Sequence, residues 1–310
     1  IRNIEEFIMK EQLKKEIQEL KWLIHKTPGA DIKIGLTAKM YRKKIELLEI
    51  IHQVEKSRAG LSARQLIENV NNLPTLPKYS TGIAKVDASL GGGFETGLFV
   101  NLAGESGAGK TTFLLNVLAN MSQSKKVVFF NFEMGDRLFV KKLKDLKLNE
   151  NQLDNLTIDS ENFKVDDLIM EIELYAEEGI KFFAIDSKMK LSGGVGKEQY
   201  QQISNVSSQL AKLAARKDIV IFLINQISEE DIKNGRLSFK GSGDQKYDTD
   251  IALFLTIENN QRKLICTKNR MNDKTFDVDF DLSDFNANFG PVITTFETDV
   301  NPSMPHEMFG

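Results

Sequence analysis

The chain is poor in the residues that define several common kinds of protein. A single cysteine, Cys266, among 310 residues leaves no partner for an intrachain disulfide. The fold must therefore rest on its core, as suits a reducing cytosol. Cys266 follows Leu264-Ile265 in a strand-like run, which predicts a buried structural thiol. Three scattered histidines, His25, His52 and His306, have no metal-ligand spacing. Charge of one sign is also lacking: 41 Lys and Arg face 44 Asp and Glu, a net charge of −3. Global attraction to a polyanion is thereby excluded, and any such site must be a local patch. No apolar run approaches the ~20 residues of a membrane span, and no signal peptide is visible. A cytoplasmic protein with no membrane partner is expected. The chain opens on Ile1 and not on Met, as expected of a segment that begins inside a longer protein.

What is present begins with helices. Residues 1–72 carry no strand pattern. Leu13, Ile17, Leu20 and Leu23-Ile24 recur at helical spacing among Lys and Glu, and Thr27-Pro28-Gly29 stops the run. A second helix is predicted from about Thr37 to Glu55, and a third, short one after Ser62, which can cap it. These helices have little with which to fill a core of their own. They are expected to pack on the main domain or on a neighbouring subunit. Leu73-Pro74-Thr75-Leu76-Pro77 reads as a linker, placed at 73–79, because proline cannot continue a helix.

From Tyr79 to about Phe296 apolar strands and amphipathic helices alternate, in a domain placed at 80–310. Strands are predicted over Leu98–Ala103, Val127–Phe132, Lys181–Asp186, Ile219–Asn225, Asp250–Ile257 and Lys263–Lys268, with helices over Val165–Glu178 and Gln199–Arg216. This is the pattern of an α/β protein: a wound, mostly parallel sheet with helices on both faces, closed by later antiparallel strands.

Between the first strand and the helix beginning near Phe113, residues 104–112 read GESGAGKTT: Gly104, Glu105, Ser106, Gly107, Ala108, Gly109, Lys110, Thr111 and Thr112. Glycines at a strand-to-helix turn let backbone N–H groups converge on an anion at the positive end of the helix. Lys110 can reach β and γ oxygens, and the Thr111 hydroxyl can ligate Mg²⁺. A site for a nucleoside triphosphate, ATP with Mg²⁺, is implied.

Other polar residues stand at strand tips. Glu133 follows Val127–Phe132 and can activate a water; locally it also reads as a helix N-cap acid. Asp186 ends a buried run and can support Mg²⁺ and its water. Gln226 follows Ile219–Asn225 and can sense the γ-phosphate, or be no more than a polar terminus. Cys266-Thr267-Lys268-Asn269-Arg270 sets Lys268 and Arg270 on one side of an extended segment, as a surface ladder or as cations for a γ-phosphate. The loops at 191–197 and 227–243 carry Lys197, Lys233, Arg236 and Lys240. They are candidate contacts for a single-stranded backbone, although solvated loops share this composition.

In this order the motifs resemble the RecA-like ATPase domain of DnaB-type replicative helicases. Thr81-Gly82, Val86-Asp87 and Leu90-Gly91-Gly92-Gly93-Phe94 resemble the family's TG…LD…GGF. FFNFEM resembles FSLEM, FFAIDSKMKLSGG resembles IDYLQLMSG, GSGDQKYDTD at 241–250 resembles GSGSIEQDAD, and TKNR at 267–270 resembles AKNR. RadA-like and KaiC-like ATPases are near relatives that share some of these motifs. The resemblance implies ATP hydrolysis with Lys110 and Thr111 on phosphate and Mg²⁺, Glu133 as base, and Asp186 at the metal. It further implies that Gln226 couples nucleotide to the DNA loop and that Lys268 and Arg270 reach into a neighbour's site. A hexameric ring around single-stranded DNA follows from it, with the helix from Ser62 to Val70 docked on a neighbour and a primase or helicase loader as partner. The chain departs from the family in its short helical N-terminus, in a weakly basic loop at 227–240, and in Met271-Asn272-Asp273 where glycine commonly follows KNR.

Overall fold

The computed structural model describes residues 2–55, 62–71, 78–160, 164–186, 197–227, 237–239, 245–258 and 261–281. Lys233, Arg236 and Lys240 lie outside the described residues, as does most of the linker.

Two long helices come first, α1 (Arg2–Lys26) and α2 (Ala30–Glu55). Thr27-Pro28-Gly29 ends α1 as predicted, the Thr27 hydroxyl donating to the Leu23 carbonyl at 2.7 Å. Helix α2 starts at Ala30, well before Thr37, so the pair forms a tight αα-hairpin. Its inner face buries Leu13, Ile17, Leu20, Met40, Leu47 and Leu48, and Leu174 of helix α8 (Val165–Glu177) completes that cluster. The hairpin thus packs on the main body of its own chain. Buried Lys44 pairs there with buried Glu171, and Lys21 lies 4.0 Å from the same carboxylate. Helix α3 (Ala63–Asn71) is capped reciprocally by Ser62 and Gln65 and leaves Leu66 and Ile67 exposed.

The body is an eight-stranded sheet. In chain order its elements are α4 (Ala84–Ser89), β1 (Leu98–Gly104), α5 (Lys110–Met121), β2 (Val127–Asn131), α6 (Asp136–Asp145), α7 (Glu150–Asn155), β3 (Leu156–Asp159), α8, β4 (Phe182–Asp186), α9 (Lys197–Lys217), β5 (Val220–Ile224), α10 (Gln245–Asp248), β6 (Ile251–Glu258), β7 (Gln261–Asn269) and β8 (Phe276–Phe280). The spatial order is β3-β2-β4-β5-β1-β6-β7-β8. Strands β3 through β6 run parallel, and β7 and β8 are antiparallel.

Apolar residues fill both faces of the parallel strands, with alternate side chains going to opposite sides. Val100, Leu102, Phe129 and Phe222 meet α5 through Phe113, Leu114 and Val117. Phe99, Phe130, Phe183 and Ile221 meet α8 and α9 through Leu168, Ile172, Val206 and Leu210. The runs Val127–Asn131 and Phe182–Asp186 are fully buried and end on the polar residues Asn131 and Asp186, which are buried as well. Strands β3 and β8 extend the sheet beyond the segments read from sequence.

The segment before β1 is folded by Asp87. Its carboxylate accepts from the Ser80 hydroxyl (2.6 Å), the Thr81 hydroxyl (2.7 Å) and the Thr81 N–H (2.7 Å). Tyr79 bridges Phe94, and a Cβ on Gly93 would lie 2.2 Å from the Tyr79 carbonyl oxygen. Glycine is therefore required there by close backbone approach.

Candidate functional site

The carboxyl ends of the parallel strands form one rim of the sheet, and the glycine-rich loop stands at its centre. Strand β1 ends at Gly104, and α5 begins at Lys110 behind Gly109, an N-cap residue with φ 95°. Gly107 also has positive φ (82°), with open space where its side chain would be. These two glycines allow the loop to curl around an anion. Gly104 is demanded by something else: a Cβ there would lie 2.5 Å from the Leu255 carbonyl oxygen of β6. Ala108 is buried in the core, which leaves its backbone as its contribution to the cradle.

Lys110 Nζ donates to the carbonyls of Gly104 (2.9 Å) and Glu105 (2.8 Å), so the ammonium closes over its own loop. Burial lowers its pKa, opposed by the charges of Asp186, Glu133 and Glu105. The Thr111 hydroxyl donates to Asp186 Oδ2 at 2.5 Å. Asp186 is buried, and its Oδ1 has no hydrogen-bond partner. Burial pushes the Asp186 carboxyl up to about 7; Glu133 adds to the rise, while the Thr111 hydroxyl and Lys110 oppose it. Lys110, Thr111, Glu133 and Asp186 are therefore brought together around the loop.

Glu133 is exposed and does not cap α6, whose N-cap is Gly135. The turn that presents Glu133 is tied by Asn131, buried at the tip of β2. Its Nδ2 donates to the Met134 carbonyl at 2.7 Å, and its Oδ1 accepts from the Met134 N–H at 3.2 Å. Reading Val127–Phe132 as one apolar strand overlooks this brace. Asn225 does the same for half-buried Gln226. The Asn225 N–H donates to Leu102 O at 2.8 Å and its side chain donates to buried Asn101, which in turn donates to Thr249 Oγ1 at 2.6 Å. Asparagine inside a buried strand was the available signal, since such a group is kept only where it is hydrogen-bonded.

Lys268 and Arg270 stand elsewhere. Lys268 Nζ donates to the Tyr247 carbonyl at 3.4 Å, and Arg270 Nη2 donates to the same oxygen at 3.0 Å. Arg270 Nη1 pairs with Asp250 Oδ1 at 2.8 Å, and 54% of the side chain remains exposed. Because β7 is antiparallel, Asn269 pairs Ile251, which pairs Val100, whereas the loop is level with Leu255. Arg270 therefore lies toward the opposite rim, roughly 13–17 Å along the strands from its own loop at ~3.3 Å per residue. Lys197 begins α9, and its side chain lies outside the described residues. Cys266 is buried, its thiol pushed up to about 11 by burial, as fits a structural residue.

The donor set fits a nucleotide with a divalent cation. A buried carboxylate oxygen without a partner, a hydroxyl beside it and an open positive-φ cradle are the complement of an Mg²⁺-polyphosphate. Among the described residues no cluster of three or more His, Cys, Asp or Glu could hold a metal alone. Asp186 and Thr111 would hold the cation jointly with phosphate oxygens.

Sheet order, loop position and strand-tip carboxylates together define a P-loop nucleotide-binding protein with the RecA-like ATPase fold. Residues 78–231 match the family model described as AAA domain. The chain is similar to the DNA repair protein RadA of Escherichia coli, 27% identical over 180 residues, or 56% of this chain and 36% of that protein. It spans less than half the length of the curated relatives it matches. In structure it is similar to a solved ATPase domain, with a TM-score of 0.59 and 21% identity over 74% of this chain and 98% of that one. A DnaB-like replicative helicase, solved in a study of its interactions with primase, gives a TM-score of 0.59 at 18% identity over 90% of this chain and 75% of that one. A KaiC-like protein from Pyrococcus horikoshii gives 0.57 at 19% identity over 68% and 97%. The likeness to DnaB-type, RadA and KaiC-like proteins read from the motifs is thus borne out. No described helix is long and apolar enough to cross a membrane.

Proposed function

We propose that this chain is the ATP-hydrolysing motor of a ring-forming replicative DNA helicase that translocates on single-stranded DNA in the cytoplasm. The observation that carries the reading is the separation of Arg270 from its own loop: a half-exposed guanidinium, aimed by Asp250 and Tyr247, stands at the far rim of the sheet. A cation so placed serves the nucleotide of an adjacent copy. Lys110 holds β and γ oxygens, Glu133 accepts the proton of the attacking water, and Asp186 and Thr111 would hold Mg²⁺. When bound there, the cation would offset the negative charge of the phosphates. Gln226 senses the γ-phosphate, and Lys268 assists Arg270. DNA contacts are assigned to Lys197, Lys233, Arg236 and Lys240. Exposed Leu66 and Ile67 of α3 suit docking on a neighbour, in an organisation of helical region (1–72), linker (73–79) and ATPase domain (80–310). A primase or loader is the expected further partner.

A second reading is a RadA-like or KaiC-like DNA-dependent ATPase that does not unwind duplex; the sequence similarity to RadA favours it. The mass of the particle assembled with ATP and single-stranded DNA tests the ring. A DNA-bound hexamer is expected, and a persistent monomer contradicts any role in a neighbour's site.

A further inference from the structure

Strand β7 carries another arginine, at its opposite end. Arg262 pairs Ile257 across the β6–β7 hairpin and Phe280 on β8. Its register places it just beyond Leu255, the residue level with Gly104. Its Nε lies 3.6 Å from the point where a Gly109 Cβ would stand, against the N-cap of α5. That Nε is shut off from solvent and has no hydrogen-bond partner. No ion pair reaches the guanidinium among the described residues. Lys110, the cation of the loop itself, is tied to its own loop carbonyls.

A guanidinium that has lost part of its hydration without gaining an anion is unfavourable, and the penalty is cancelled only when an anion arrives. The strand order says which part of the ligand that is. Glu133 and Asp186 come from β2 and β4, on one side of β1, and define the γ-phosphate end. Arg262 comes from β7, on the other side of β1. The nucleotide therefore runs from the carboxylates toward Arg262, which stands at the end nearer the nucleoside.

We propose that Arg262 is a nucleotide-binding residue of its own subunit, pairing with the α/β-diphosphate common to ATP and ADP. The two arginines of this strand then divide the work. Arg262 grips the nucleotide before and after hydrolysis, and Arg270 acts on a neighbour's γ-phosphate. This inference rests on the nucleotide-binding reading of the loop but not on ring assembly.

The test is calorimetric titration of the full chain with Mg²⁺-ADP, Mg²⁺-ATP and inorganic pyrophosphate, comparing wild type, Arg262→Gln, Arg262→Lys and Lys110→Ala. Thermal midpoints without ligand are measured alongside. Arg262→Gln should weaken all three ligands alike, by about ten- to a hundredfold, the range of one charge-assisted contact. Arg262→Lys should recover part of the loss. The ligand-free midpoint of Arg262→Gln should be unchanged or higher, because a partly desolvated charge without an anion is removed. Wild-type affinity for ADP in Arg262→Gln, with Lys110→Ala impaired, overturns the proposal. So does a loss confined to ATP, which would put Arg262 at the γ end, or one that spares pyrophosphate, which would make it a base contact. A fall in the ligand-free midpoint with unchanged affinity would make it a packing residue. If the wild-type chain binds none of the three, the nucleotide reading of the loop fails with it.

Discussion

The Thr111 hydroxyl donates to one oxygen of Asp186 at 2.5 Å and leaves the other buried without a partner. This half-satisfied carboxylate is the electrostatic centre of the site. Burial holds its pKa near 7, against an ordinary value of 3.8. The folded state thus retains the proton more strongly than the unfolded chain. Its relative stability is full below about pH 4 and is lost as pH rises through 7. Asp186→Asn mimics the protonated acid. It should raise the nucleotide-free thermal midpoint at pH 8, and the gain should shrink as pH falls toward 4. The difference at pH 8 is of the order of a few kcal/mol, at about 1.4 kcal/mol per pKa unit. A gain independent of pH would locate the effect in packing.

The loop glycines separate into two kinds. Gly104→Ala drives a methyl into the Leu255 carbonyl and should destabilise the fold by about 1–3 kcal/mol or more. Gly107→Ala meets no atom but inherits a positive φ. It should cost about 1–2 kcal/mol and act chiefly on nucleotide affinity. Chemical denaturation and nucleotide titration of both variants check the division; wild-type nucleotide affinity in Gly107→Ala would refute it.

Arg270→Ala should lower ATP turnover by about a thousandfold or more, as expected of an arginine finger, and leave the affinity of the isolated subunit for ATP unchanged. Mixing Arg270→Ala with Glu133→Gln subunits should restore part of the activity at interfaces that escape both lesions. Turnover measured across mixing ratios checks this, and no recovery at any ratio contradicts the finger. Asp250→Asn, which frees Arg270 without removing it, should give an intermediate loss.

The helical hairpin is fastened to α8 by Lys44 and Glu171, both buried. Lys44→Met or Glu171→Leu alone leaves an uncompensated charge and should destabilise by about 3–5 kcal/mol. The double substitution should be near neutral or stabilising. Urea unfolding followed by circular dichroism measures the cycle; additive losses would mean that the two residues do not act as a pair.

Much of this architecture was legible because long apolar runs ended on single polar residues. Val127–Asn131, Phe182–Asp186 and Val220–Ile224 are buried strands whose tips carry Glu133, Asp186 and Gln226, and glycine spacing marked the loop between them. The overlooked pieces were short or tertiary in origin. Strand β3, four residues long, carries too little pattern to be read. Gly35 and exposed Ile32 and Ile34 hid the start of α2. Phe276–Phe280 alternates cleanly as an antiparallel strand, but it lies past the last motif. The roles of Asn101, Asn131 and Asn225 depend on partners that only the sheet brings near. Arg262 has no signal of its own in the sequence, and its meaning comes from the hairpin register that sets it against Gly109.

On the proposed function, ATP turnover drives movement on DNA. Its most direct test is strand displacement on a forked duplex by the assembled chain, with Lys110→Ala as control. ATP-dependent unwinding that Lys110→Ala abolishes is the expected result. Turnover stimulated by single-stranded DNA without any strand displacement would contradict it and favour the RadA-like alternative.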